Sequence, residues 1–280
     1  MNIRINGADA DIQLETEKTV GEVLSALEVW LDGTGHRLSG FRIDGRAVAV
    51  DTMEVCFGMD IDAAENLDIY TSSITELFAE CLLHVMEAID AYEMAGFEER
   101  GFLAMRWKES PSARMLAEQS PALFTWAAKT FSGEGSGPQA LRSVLEERLR
   151  ELKDPANELD KVGILVADIC TRLEELPLDI QTGKDVRAAE TASLFSGIAE
   201  KVFRIYDVLK TGGFPVGEIK VGDMPVGDYM EEFHASLQEL LNAYEQHDTV
   251  LVGDIAEYEM APRLRGFHSA VLDAVKGYCQ

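Results

Sequence analysis

The apolar residues of this chain change their repeat just past residue 72, and a backbone can serve only one such repeat at a time. Before that point they alternate: Ile3 and Ile5, Ile12 and Leu14, Leu67 and Ile69 stand two apart, the spacing of strands with one buried face. After it they recur every third or fourth residue, as in Ile74, Leu77, Phe78, Cys81, Val85, Ile89 and Tyr92, which is the stripe of an amphipathic helix. The expected class is therefore α+β: a small N-terminal module over 1–71, then an all-helical region over 72–280. The segment Ser132-Gly-Glu-Gly-Ser-Gly137 has linker composition and is expected to subdivide the helical part near 132–137.

Within the first part, Thr19-Val-Gly-Glu22 has the form of a capping box, with Thr19 as cap and Glu22 three residues on. Val20, Val23, Leu24, Leu27 and Leu31 follow at helical spacing, and Gly33 and Gly35 end the run. Phe41-Arg-Ile43 and Ala47-Val-Ala-Val50 flank Asp44-Gly45, a pair suited to a tight hairpin turn. The order is two strands, a helix, two strands and a closing strand at Glu65-Asn-Leu-Asp-Ile-Tyr70. In that order, its length and its closing strand, this quarter of the chain resembles the ubiquitin-like β-grasp fold. The resemblance implies a fold and not a carrier chemistry. Carrier members end in a free Gly-Gly tail, whereas here Thr71 and Ser72 run on into a helix capped by Ser73.

Later stripes begin after Gly137-Pro138, again at Leu159, Phe195 and Tyr229, and last from about Thr249 to Tyr278. A shorter one between Ala113 and Phe131 is interrupted at Ser120-Pro121. Pro177 is expected to end the third helix and Pro262 to kink or break the last. Five to seven helices are expected, with no fixed-period repeat, and a small hairpin over 216–221.

Against 50 acidic residues stand 25 basic ones, a net charge of −25. That sign repels phosphate backbones and anionic lipid alike, so nucleic acid and membrane surfaces are excluded as partners. It attracts basic proteins, and it also serves solubility. The polar start lacks a secretory signal, the apolar run at 162–170 is broken by Gly163 and Asp168, and a cytoplasmic location is expected. Cys56, Cys81, Cys170 and Cys279 form no CxxC pair and read as reduced thiols.

Motifs for chemistry are few. Gly183-Lys184 is followed by Asp185, which no P-loop allows, and no serine stands in a GxSxG elbow. Glu231-x-x-His234 puts a carboxylate and an imidazole on one helix face, and Glu80, His84 and Glu87 do so on another. A di-iron bundle needs the ExxH pair twice, so these are minor metal candidates; no cofactor and no catalytic residue is assigned. The segment 96–108 concentrates residue types enriched in binding hot spots, with Arg100, Phe102, Arg106 and Trp107 foremost. The competing reading makes its aromatics the cap of a helical core. The long connection 210–228 adds Phe214. The stretch 242–259 resembles the endings of uncharacterised bacterial helical proteins, which implies no activity.

The functional expectation is a non-enzymatic adaptor, assembly factor or chaperone-like protein. Its partner would be another protein with a basic or amphipathic segment. The alternative is an enzyme, or a metal- or small-ligand-binding protein, with a site between helices built on Glu231 and His234 or on another acid–base pair.

Overall fold

The computed structural model describes residues 1–10, 14, 16–31, 33–48 and 52–278. It is α+β, a small N-terminal mixed sheet followed by a large helical region. The chain divides into two units, Met1–Leu141 and Arg142–Gln280.

In the first unit β1 (Asn2–Ile5), β2 (Ala8–Asp9), β3 (His36–Ile43), β4 (Arg46–Ala47) and β5 (Asn66–Ser73) form one sheet in the order β2-β1-β5-β3-β4. β1 runs parallel to β5 and pairs Ile3 with Leu67 and Ile5 with Ile69; the other pairings are antiparallel. Asp44 and Gly45 both take positive φ in the β3–β4 turn, as a two-residue hairpin of matching twist requires. Helix α1 (Val20–Leu31) starts at the expected capping box, in which the Glu22 amide donates to Thr19 Oγ1 and the Thr19 amide to the Glu22 carboxylate. Its five apolar residues form one core with Ile3, Phe41, Ile43, Leu67 and Ile69. At ~2 kcal/mol for each buried aliphatic side chain, this shared face outweighs the ~1 kcal/mol of the cap.

Two strands differ from expectation. The positive-φ pair Asn6 and Gly7 turns the chain back at once, so the second strand is Ala8–Asp9; Leu14 carries no strand, and Ile12 lies outside the described residues. The fourth strand covers only Arg46–Ala47, with Ala49 and Val50 outside the described residues. A short helix α2 (Met53–Phe57) and a 3-10 turn at Ile61–Ala63 precede β5.

β5 ends at the N-cap of α3 (Ile74–Met94), where Ser73 and Glu76 form a second reciprocal capping box. Three short helices follow, α4 (Phe97–Lys108), α5 (Pro111–Gln119) and α6 (Pro121–Phe131). Ser-Pro pairs open α5 and α6, since proline is preset for the first helical turn and excluded from the end of the preceding one.

In the second unit, the helices are α7 (Pro138–Lys153, which begins in the first unit), α8 (Pro155–Gln181), α9 (Asp185–Thr211), α10 (Val226–Glu245), α11 (Thr249–Ile255) and α12 (Ala261–Tyr278). Beyond β5 the described residues therefore form ten helices, not five to seven, because the segments between prolines fold as separate helices. The inner face of α8, from Leu159 through Leu176, shares one core with α9, α10, α11 and α12.

Pro177 does not end α8; the helix continues to Gln181. The lost hydrogen bond is set against packing, since the proline ring lies where a side chain on Gly253 of α11 would have stood. Pro262 likewise leaves the chain helical. A π turn at Ala256–Met260 joins α11 to α12, and the Ala261 amide bonds to the Ala256 carbonyl five residues back. The hairpin is shifted from 216–221 to β6 (Lys220–Val221) and β7 (Met224–Pro225). Gly222, at positive φ, makes its turn, while 216–218 coil into a 3-10 turn after Pro215.

Two glycine substitutions test this packing in opposite directions. In Gly253→Val the new side chain starts 3.1 Å from the Pro177 ring, and urea unfolding should show a loss of about 1–3 kcal/mol. Gly197, inside α9 with open space around it, should gain about 0.5–1 kcal/mol as Gly197→Ala.

Candidate interaction surface

Helix α4 is short, and its mixed polar and apolar sequence leaves it weak on propensity alone, so neighbours hold it in place. Trp107 is buried and stacks on Phe124 and Phe131, with ring centroids 5.8 and 4.6 Å away. Tyr92 of α3 meets Phe131 edge-on. Trp107 is therefore a core residue of the first unit, and its indole N–H has no hydrogen-bond partner among the described residues.

Arg100 faces inward too. Its guanidinium donates to the carbonyls of Tyr92, Glu93 and Ala95 at 3.0–3.1 Å and lies over the Tyr92 ring. Those carbonyls are the unpaired end of α3, and a cation there is favoured by the helix dipole as well as by the bonds. Arg100 is a cap that joins α3 to α4.

The remaining face of α4 points to solvent and is apolar where a polar surface is expected. Phe97 is 93% exposed, Phe102 60% and Met105 58%, and Met94 at the end of α3 is 88% exposed. Arg106 is exposed beside them. Sequence reasoning selected Phe102 and Arg106 on this face, with Met105 noted beside them, but passed over Phe97 and Met94. The available signal was the spacing of Phe97, Gly101 and Met105 at i, i+4 and i+8, which puts an apolar pair on one side of a helix whose Trp107 lies on the other.

Phe214 belongs to the second unit, where it is half-buried against the core and meets Tyr278 edge-on at 5.1 Å. Glu231 and His234 are exposed on α10, and Glu80, His84 and Glu87 are exposed on α3. Among the described residues no group of three or more His, Cys, Asp or Glu side chains is placed to hold a metal ion.

Two further groups were open to a chemical role. Cys81 is buried, donates to the Ser112 carbonyl, and burial pushes its thiol up to about 11. It stays protonated at neutral pH and is no nucleophile. In the second unit Glu151 of α7 is buried, chelated by Arg204 of α9 at 2.7 and 2.9 Å, with Arg148 and Lys201 at 3.5 and 3.7 Å. Burial pushes its carboxyl up to about 7, Arg148 and Lys201 pull it back, and Glu147 and Glu158 add to the rise. The group is walled in by its partners and clamps α7 to α9. In the first unit a cleft of about 610 Å³ is lined by Leu24, Leu38 and Phe57 and by Glu17, Glu22 and Glu28. Among the described residues its lining has no histidine, cysteine or cation, and Glu22 is already committed to the α1 cap.

Comparison with known proteins parallels these elements. Residues 1–73, which end with β5, match the family model described as TP0873 N-terminal domain. Residues 164–270, from α8 into α12, match the model described as Domain of unknown function (DUF8042). The chain is similar to a Treponema pallidum (strain Nichols) protein described as "Uncharacterized protein", 22% identical over 272 residues that cover 97% of this chain and 96% of that one. No solved structure matches. Among the described residues no helix is long and apolar enough to cross a membrane.

The two sides of α4 should respond differently to truncation. Arg100→Ala removes three carbonyl bonds and should cost about 1.5–3 kcal/mol in urea unfolding. Phe102→Ala should stay within about 0.5 kcal/mol of the parent. Equal losses would mean that Phe102 is part of the core.

Proposed function

We propose that the protein is a non-enzymatic interaction module, an adaptor or assembly factor that takes an amphipathic segment of another protein on the outer face of α4. The observation that carries this reading is the exposure of Phe97, Phe102 and Met105 on one short helix. Single exposed apolar residues are ordinary, but several on one exposed helix face are typical of docking surfaces. Arg100 and Trp107 hold the helix rigidly from behind, so little conformational freedom is lost on binding. Arg106 and Lys108 give the face a local positive edge in an acidic chain.

The N-terminal module is the second part of the proposal. Its sheet order β2-β1-β5-β3-β4, with α1 across one face, supports reading 1–71 as a ubiquitin-like β-grasp domain. In this reading 72–280 form the helical body. Because β5 passes directly into α3, the module acts as a fixed contact surface.

Site-specific photo-crosslinking tests the assignment. A benzophenone side chain at position 102, in the full chain expressed in its native cell, should give one adduct of discrete mass. That adduct should fall at least about tenfold when Phe97 and Met105 are changed to Glu. No adduct at 102, or an adduct indifferent to both changes, would refute the reading.

A further inference from the structure

Residues 221–262 contain no lysine or arginine and ten aspartates and glutamates. In the structure this run makes the hairpin of α10 and α11 and the π turn that follows. One side of the hairpin is committed inward: Phe233, Ala243, Ile255 and Ala256 lie in the core, and Gly253 lies against Pro177. The other side is not covered. Tyr244 is 68% exposed, Val250 70% and Tyr258 66%, with Leu241 and Leu251 also exposed.

These residues converge by geometry. The Asp248 amide bonds to the Ala243 carbonyl and His247 takes positive φ, so the turn folds the first residues of α11 back toward the last turn of α10. This brings Tyr244 and Val250 to one end of the hairpin. Along α11 and the π turn, Val250, Leu251, Asp254 and Tyr258 are exposed while Gly253, Ile255, Ala256 and Met260 are buried, so Asp254 lies on the outward side with the apolar residues. The result is an apolar strip set among carboxylates.

Its charge is not neutralised from within. Arg263, next along the chain, is taken up by Glu232 and Glu259. Glu239, Glu245, Asp254 and Glu257 form no ion pair among the described residues. Glu257 and, less strongly, Asp254 push the pKa of the Tyr258 phenol up, as a locally negative field must.

We infer that the outer side of the α10–α11 hairpin is a docking surface for a basic amphipathic helix of a partner protein. Leucine-like side chains would lie on Tyr244, Val250 and Tyr258, and lysines or arginines would face Asp254 and Glu257. A second copy of this chain fits poorly, because two such surfaces bring uncompensated carboxylates together. An anionic lipid surface is repelled for the same reason. The surface shares no residue with the α4 face, so either can fail without the other. The exposed apolar residues supply the contact, and the charge pattern sets the partner's sign.

The test uses a fluorescent helical peptide of about 18 residues, leucines on one side and lysines on the other, titrated into the full-length protein and followed by anisotropy. Binding in the micromolar range is expected, weakening as salt rises from about 0.05 to 0.5 M. Tyr244→Ala with Tyr258→Ala, and separately Asp254→Asn with Glu257→Gln, should each weaken it about tenfold, while circular dichroism stays unchanged. Phe102→Ala, on the other surface, should leave it intact. The inference is overturned if the peptide fails to bind, if both double variants bind as the parent does, or if a peptide with glutamates for lysines binds as well. It is also overturned if the parent sediments as a dimer that the tyrosine changes dissolve, since a second copy would then cover the surface.

Discussion

With one cation for every two carboxylates, the placement of each lysine and arginine decides which surfaces of this protein can be closed and which remain charged. A carboxylate enters a protein interior only if cations and hydrogen bonds go with it. Glu151 draws in Arg204, Arg148 and Lys201, Glu158 is met by Lys161, Arg150 and Lys201, and Asp179 by Lys184 and Arg187. The cations of the second unit are thus concentrated along α7, α8 and α9. On the hairpin of α10 and α11, among the described residues, Glu232 alone receives a cation, Arg263, and the outer side keeps its charge. Scarcity of one sign links the burial of a few acids to the exposure of others.

Close approach of helices does the rest. Gly163 of α8 leaves room for His268, whose ring reaches the Leu159 carbonyl at 2.8 Å, and Gly253 leaves room for Pro177. Both contacts fix α8 against the C-terminal helices and thereby fix which side of α11 turns outward. In the first unit the same role falls to Arg100 and Trp107, which anchor α4 from behind so that its phenylalanines face solvent. In both units the inward contacts are specific, and the outward apolar residues are what those contacts leave over.

Much of this architecture was legible in the order of residues because it rests on local rules. The capping boxes at Thr19 and Ser73 and the change of apolar period each depend on a few neighbouring residues. Pro177 misled because the local rule for proline is sound and only a tertiary contact, with Gly253 far along the chain, offsets the lost bond. The hairpin at 220–225 was displaced because Pro215 favours a 3-10 turn where strands were expected. At the candidate site, residue type alone could not separate Trp107, which is core, from Phe102, which is surface, since both are large aromatics on one short helix. The cation-free run at 221–262 was present in the sequence throughout. Its meaning depends on which side of α11 packs inward, and only the fold shows that.

The central claim is that negative charge and exposed apolar side chains coincide on one outward side of the α10–α11 hairpin and there select a basic helix. Amide chemical-shift mapping of the full-length protein during addition of a lysine–leucine helical peptide tests it most directly. The account predicts shifts confined to α10, α11 and the π turn, saturating together. Shifts spread over acidic residues throughout the chain, or centred on α4, would contradict it.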